Sequence, residues 1–537
     1  MIFYFDITRE NLTFKKITAF AWLLVAFILM GLYLPLILQG GIITDDWGDI
    51  YESINCNSFG QCYADWFPLF SNRPLAPLPI TLTTRFFGTN YSLYLLTNSA
   101  IYLSVLILIA RTLARFLSLF SQVVFILLAA FPCISMPVIV SPINQLTATV
   151  AFFYWAISLN LLLRNCQSKI KYGYFFAYFF LLCGFLTYEI ILPLLFFTAF
   201  LPALLITPKD LNSWLKYSLK FIAPLLGILI LIIFWQKILA PNFMEVYSRL
   251  NFNPANFGRN LFTWTHVFIV QIPKLFIESI PYISYKDLGL FTVLAFFFWI
   301  LRKKNYGLQI NSSRPLDLFF LTISSSALLS SSLIFILTNE SAVSWGYQAR
   351  GLSSTWFSLA LWIASITNLS QALPRIFRAI TLIITILFTC LSMLSFSIQR
   401  DKYIESWQLQ MYILKDIGNL IQAKNIGKNA SMVFDVPHYT PNNYNRELVF
   451  SQSWDLPTAV TITTKYRLES GVVIDSRAHK LQGLRIENGN ALVNDGGKVN
   501  FNNLWLYDFD PHTKQGSLTF LNNQAALEER MSKWNSL

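Results

Sequence analysis

Asp45 and Asp46, adjacent in "ITDDWGDIYESI" (residues 43–54), are the first charged residues after an apolar run at 17–38. A carboxylate fixed at such a place can take a proton from a hydroxyl, orient that hydroxyl, or share a divalent ion. It can also do no more than favour the positive N-terminus of a helix running DDWGDIYESI. Glu189, in "FLTYEIILPLLF", interrupts the long apolar stretch 173–206 and is either the polar tip of a hairpin or a buried functional group. Two arginines complete the set. Arg73 lies in "NRPLAPL", and Arg350 is the last charged residue before the apolar run at 351–369. A guanidinium donates two parallel hydrogen bonds to a phosphate, although at a membrane boundary it can equally snorkel to headgroups. With only four histidines and no Cys/His spacing of the zinc type, no structural metal is expected. A divalent ion at the acid pair is the one cofactor these residues leave open.

The elements that must position these groups are membrane helices. The chain of 537 residues is 55% hydrophobic, 16% aromatic and only 13% charged, with mean hydropathy +0.49. Such a composition uses lipid as its solvent. Apolar windows fall at 17–38, 91–110, 117–139, 146–163, 173–187, 190–206, 219–239, 288–301, 316–337, 351–369 and 376–397. That makes about eleven spans by the length rule. The first has no small-residue cleavage site and reads as a retained span.

The net charge of +12 is scattered singly between apolar runs rather than gathered on one basic helix, which excludes nucleic acid as a partner. It reads instead as a topology signal. With the N-terminus cytoplasmic, the inner segments carry Arg9, Lys15 and Lys16; Arg111 and Arg115; Arg164, Lys169 and Lys171. Further along they carry Lys209, Lys216 and Lys220; Arg302, Lys303, Lys304 and Arg314; and Arg375 and Arg378. This obeys the positive-inside rule. Segments 39–90, 140–145, 240–287 and 338–350 then lie outside, as do the tail and the turn at Glu189 between the fifth and sixth windows, so all five candidate residues face away from ATP. No phosphate-binding loop of the G-x-x-x-x-G-K-[ST] kind occurs, which argues against ATP-driven transport. Cys56 and Cys62 share the first outer loop, where an oxidising compartment permits a bridge. The loop 240–287, with Arg249, Arg259, His266 and Lys274 among aromatics, reads as amphipathic helices in the interface. His266 is read there as a satisfied interfacial residue. In "NRPLAPL", Pro74 suits a first helical position with Asn72 as cap.

Two domains are expected: a transmembrane domain over 1–397 and an extracytoplasmic α/β domain over 398–537. "SIQRDKYIESWQLQMYILKDIGNLIQ" has helical periodicity, and "SMVFDVP", "ELVFSQS", "GVVIDS", "NLWLYDFD" and "GSLTFL" read as strands between turn residues.

The acidic pair in "TDDWG" just past the first span, followed by "NRPLAPL", resembles the GT-C superfamily of polytopic, lipid-dependent glycosyltransferases. The second element is similar to the "GRPLA" of O-antigen glucosyltransferases from serotype-converting phages and their bacterial relatives, with Asn72 in place of the glycine. Protein O-mannosyltransferases and lipid A aminoarabinose transferases keep an acid at the corresponding place. The resemblance implies a GT-C-like fold in a bacterial inner membrane. It also implies transfer of a sugar, with inversion, from a polyprenyl-phosphate donor to a hydroxyl of a glycan, glycolipid or protein in the cell envelope. Asp45 would be the base, with Asp46 as substitute or partner. Arg350 would grip the phosphate, Arg73 would be a second contact, and Glu189 would orient acceptor or base. The rival is a transporter or flippase of lipid-linked sugars, which calls for ionisable groups at mid-membrane and inverted repeats; the sequence has no such repeat.

Overall fold

Each apolar window folds mostly as helix. The computed structural model describes residues 12–168, 170–206, 211–243, 254–305, 314–338, 342–343, 347–427, 430–440, 447–478, 484–487, 489–521 and 523–536. Arg9, Lys169, Lys209 and Arg249 lie outside the described residues. The N-terminal half runs α1 (Leu12–Gln39), α2 (Asp45–Asn55), α3 (Phe59–Trp66), α4 (Pro77–Phe87) and α5 (Tyr91–Leu113). It continues through α6 (Leu119–Ala130), α7 (Pro137–Val140), α8 (Leu146–Ser168), α9 (Gly173–Thr187), α10 (Leu195–Ile206) and α11 (Leu211–Phe234). Then follow α12 (Pro254–His266), α13 (Ile272–Ser279), α14 (Tyr285–Asn305), α15 (Arg314–Ser330), α16 (Ser332–Thr338), α17 (Ser353–Ser370) and α18 (Arg375–Ala423).

Seven helical stretches among the described residues are long and apolar enough to cross a membrane. They are Thr18–Gln39, Tyr91–Leu113, Leu146–Ser168, Glu189–Ile206, Asn212–Asn242, Leu316–Ile336 and Arg375–Ala423. The apolar helices α6 and α9 are shorter, and α14 and α17 cover the windows at 288–301 and 351–369 without being counted, so the expected eleven spans are not reached by this measure.

The window 117–139 shows why. Pro132 and Pro137 stop it from running as one helix, and the chain breaks after Ala130. The freed carbonyls would be costly in an apolar bundle, and side chains from four other helices cap them. Tyr33 donates to Ala130 O at 2.6 Å and Tyr102 to Ala129 O at 2.7 Å. Trp356 donates to Leu128 O at 2.8 Å and Gln399 to Cys133 O at 2.6 Å. Fully buried Phe125, Phe152 and Trp155 pack around Phe357 at the centre. Outward faces such as Phe27, Ile230 and Ile383 stay exposed, as surfaces meeting lipid do.

Helix α18 continues past residue 397 without interruption, so the last span and the amphipathic stretch after it are one helix of 49 residues. Beyond it, β1 (Ser431–Asp435), α19 (Leu456–Thr464), β2 (Ser470–Ile474), β3 (Arg485–Glu487), β4 (Asn490–Leu492) and β5 (Lys498–Asn500) follow. The chain closes with β6 (Leu504–Asp510), β7 (Gln515–Leu521) and α20 (Gln524–Ser536). The main sheet has the order β2-β1-β6-β7, parallel except for β7, and β3-β4-β5 form a small antiparallel sheet. The tail is α/β as expected, with two departures: "ELVFSQS" makes only an isolated bridge, Leu448 to Tyr439, and the short strands β3, β4 and β5 were not expected. Asp455 takes the Ser451 and Gln452 N–H groups at 3.0 and 3.2 Å and diverts the chain into the cap of α19. Ile413, Leu414 and Ile417 of α18 share one apolar core with Phe434 and Tyr507 of the sheet and with Trp47 and Ile50 of α2. The helix bearing the acid pair is therefore packed by residues from the far end of the chain.

Candidate active site

The approach to α2 is fixed by contact with α18. A side chain on Gly41 would collide with the Trp407 ring, its Cβ falling 2.2 Å away. The Gly41 carbonyl accepts from Tyr403 at 2.5 Å. One helical turn on, Trp47 stacks on Trp407 with centroids 5.9 Å apart and donates to Gln410 at 2.9 Å. Between them Thr44, buried, takes φ 43° and ψ −113°, a backbone state strained for a β-branched residue. That kink starts α2 at Asp45, with both acids in its first turn as expected.

The two acids do different things. Asp46 is fully buried, and its Oδ1 accepts from Asn144 N at 2.9 Å, Ser141 Oγ at 3.1 Å and Ile143 N at 3.3 Å. Its Oδ2 faces Ile43 N at 3.4 Å. It holds the turn leading into α8 and is not among the residues lining the cavity beside Asp45. Burial pushes its carboxyl up to about 7 against the pull of those donors. The folded chain thus holds this proton more tightly than the unfolded one, so the contribution to stability is largest at acid pH and is lost as pH rises toward 7. Asp46→Asn is expected to unfold in detergent with a shallower decline between pH 4 and 8 than wild type; parallel melting curves would exclude this role.

Asp45 turns the other way. Its carboxylate is about one-third exposed, with Oδ2 3.9 Å from Arg350 Nη1. Its Oδ1 accepts from the Trp454 indole at 3.3 Å. Arg350 sits in the helical turn Tyr347–Leu352 before α17, and Trp454 just before α19. Three distant segments therefore meet at one carboxylate. Beside it lies a cavity of about 340 Å³, within the roughly 300–1,000 Å³ of small-molecule sites. Asp45, Asp49, Glu52 and Asp65 line it together with Trp66, Phe70 and Trp454.

Arg73 and Glu189 are each other's partner. The guanidinium donates from Nε to Glu189 Oε2 at 2.6 Å and from Nη2 to Oε1, while it lies over the Tyr188 ring at 4.0 Å. Leu75 N bonds Leu186 O at 3.0 Å, so the pair clamps the 68–76 segment to the end of α9. Neither lines the cavity at Asp45. Helix α4 begins at Pro77 rather than Pro74, because residues 67–76 are held in successive turns by this clamp, and Asn72 is not its cap. A mostly buried ion pair that loses one member leaves an uncompensated charge. Glu189→Gln is expected to cost about 3–5 kcal/mol of stability, and Arg73→Gln in the same chain to restore much of it. Additive losses in that cycle would show that the pairing is not the source.

Cys56 and Cys62 are bridged, which ties the end of α2 to α3 at the cavity's edge. His266 pairs with Gln271 at 3.1 Å, away from the cavity. No group of three or more His, Cys, Asp or Glu among the described residues is arranged to hold a metal ion. Trp454 and Asp49 were missed from sequence. The signal for Trp454 was local: "SWDLP" is a capped helix start with an aromatic in front of it, in a domain placed on the same side as Asp45. Asp49 carries no local signal that sets it apart from the other acids of DDWGDIYESI.

No protein-family model matches the chain, and no curated protein does. Among solved structures, the crystal structure of ArnT from Cupriavidus metallidurans bound to undecaprenyl phosphate aligns with 86% of this chain and 86% of its own. Identity there is 11% and the TM-score 0.42. The apo structure of the same protein aligns over 84% and 85%, at 14% identity and TM-score 0.38. At that distance no residue role is carried across.

Proposed function

We propose that this chain is a membrane glycosyltransferase of the GT-C type that moves a sugar from a polyprenyl-phosphate donor to an acceptor hydroxyl outside the cytoplasm. The observation that carries this reading is Asp45 beside Arg350 at an acid- and aromatic-lined cavity, at the end of the first span. The local sequence "TDDWG…NRPLAPL" is the second support.

The chemistry is a direct displacement. The acceptor oxygen bonds to the anomeric carbon from one face as the bond from that carbon to the phosphate oxygen breaks on the other. The acceptor proton passes to the Asp45 carboxylate, which makes the hydroxyl a competent nucleophile. The bonding electrons leave with the lipid phosphate, whose growing charge Arg350 stabilises. The configuration inverts because one carbon undergoes one substitution. In the resting protein Arg350 leans on Asp45. An incoming phosphate takes over as the arginine's anion, and the pair parts to admit the sugar.

Asp46 holds the turn before α8, and Arg73 with Glu189 holds the loop between α3 and α4; both frame the site without touching the reacting atoms. The tail domain, through Trp454, closes the cavity over Asp45 and places the acceptor. The site-bearing end faces the periplasm of a bacterial inner membrane, with surface glycan as the acceptor class.

The test is a reconstituted assay with a panel of polyprenyl-phosphate sugars and envelope glycan acceptors, with the product anomer read by NMR. One donor class giving product of inverted configuration is expected. Lipid-linked sugar carried across the vesicle without any transfer would replace this reading with transport.

A further inference from the structure

Trp454 is a large aromatic that the tail domain does not use for its own packing. It is 45% exposed and lies outside the two apolar clusters that hold the sheet. Yet the loop that carries it is pinned from both sides by carboxylates. On one side, Asp495, in the turn between β4 and β5, accepts from Ser453 N at 2.7 Å and from Ser453 Oγ at 3.0 Å. It also folds its own turn by taking Gly497 N at 2.8 Å. That turn comes so close that a Cβ on Gly497 would fall 2.2 Å from Ser453 Oγ. On the other side, buried Asp455 takes Leu456 N at 2.6 Å as well as the Ser451 and Gln452 N–H groups. Helix α19, which starts there, packs against α2. Such support for an exposed ring fits a side chain that has to reach one particular place. The place is Asp45: the indole N–H donates to Oδ1 at 3.3 Å, while Oδ2 faces Arg350 at 3.9 Å.

Resting on the glycosyl-transfer reading and going beyond it, we infer that Trp454 is a positioning residue for the Asp45 carboxylate and that the β4–β5 turn, through Asp495, positions Trp454. The last torsion of an aspartate is broad and roughly two-fold, so its two oxygens are equivalent until their partners distinguish them. Here the partners differ. The indole holds Oδ1 and the arginine stands at Oδ2. When the lipid phosphate takes the guanidinium, Oδ2 loses that neighbour and becomes the oxygen that receives the acceptor's proton. Oδ1 stays on the indole, so the carboxylate keeps its plane while the arginine moves away. Without the indole N–H the acid can follow the cation or turn to solvent, and the rate advantage that comes from orientation is lost. The tail's contribution to the chemistry then lies in its small sheet, whose turn holds Ser453, rather than in its larger one.

The test combines kinetics with a readout that needs no turnover, both on the full chain in nanodiscs. Trp454→Phe keeps a ring at the cavity and removes the N–H. It is expected to lower kcat by roughly 10–100-fold, the worth of one hydrogen bond to a charged group, and to leave KM for donor and acceptor unchanged. Asp495 does not line the cavity, yet Asp495→Ala is expected to lower kcat as well. The double variant should be no slower than Trp454→Phe alone, because both changes act on one contact. Wild-type kcat in Trp454→Phe, a change confined to acceptor KM, or losses that multiply in the double variant would overturn the inference. In spectra of protein with nitrogen-15 in its indoles, the Trp454 N–H signal is assigned by its disappearance in Trp454→Phe. It is expected to shift in both Asp45→Ala and Asp495→Ala. A signal that neither variant moves, in an enzyme that transfers sugar, would overturn the positioning role alone. A signal that both variants move, in a protein that transfers no sugar, would reject the transferase reading and with it the catalytic purpose of the contact.

Discussion

Asp45→Asn is expected to lower turnover by roughly 10²–10⁴-fold, the usual worth of a positioned general base, with donor KM unchanged or lower. The substitution is isosteric, and the amide oxygen can still accept from Trp454, so α2 and the tail domain keep their contact. What disappears is the group that receives the acceptor's proton. Arg350 loses the carboxylate 3.9 Å away and is left more available to a phosphate, hence the direction for KM. Steady-state kinetics on the reconstituted variant check both numbers. Wild-type turnover would place the base elsewhere. The control is Asp46→Asn, which should be read out as an altered pH dependence of stability, because its neighbours are backbone N–H groups rather than the cavity.

Arg350→Ala is expected to cost roughly 10²–10³-fold in kcat, the typical loss when one stabilising donor is removed from a developing charge, and to raise donor KM as well. Both parameters move because the phosphate is gripped in the ground state and gains charge in the transition state. Arg350→Lys separates charge from geometry. It keeps the cation and loses the planar fork, so its activity should fall between wild type and alanine. Equal activity of lysine and alanine variants would show that bidentate contact, not charge, carries the effect; an alanine variant as active as wild type would remove Arg350 from the site. Buried Ala349 and Leu352 anchor the turn carrying Arg350, so the variants should fold.

Part of this site was legible in the sequence and part was not. That Asp45 sits at the mouth of a span followed from hydropathy and from the helix signal in DDWGDIYESI, both local. That Arg350 comes from the same side followed from the charge rule, which relates every loop to one membrane. The meeting of the two at one carboxylate is a tertiary fact that those signals only permit. Which of two adjacent acids turns inward was not legible. It depends on the 141–144 turn that pairs with Asp46, and that turn exists because prolines break the helix ahead of it. The mutual pairing of Arg73 and Glu189 was hidden for a similar reason. Each reads alone as a functional charge at a boundary, and only their contact identifies a clamp. The span count suffered from the same break at residues 131–136, where an apolar window is not one helix. The main sheet of the tail was readable because its strands are short apolar runs between turn residues, whereas β3, β4 and β5 are three-residue strands with no such pattern. The one misread strand fell where Asp455 captures the backbone.

The most direct measurement is a cryo-EM structure of the protein with a turned-over polyprenyl-phosphate sugar, or its non-hydrolysable phosphonate, in place. The expected complex has the phosphate on the Arg350 guanidinium, the Arg350–Asp45 contact opened, and the Asp45 carboxylate on the side of the anomeric carbon away from the phosphate. A lipid phosphate bound elsewhere, with those two side chains still in contact, would contradict the account.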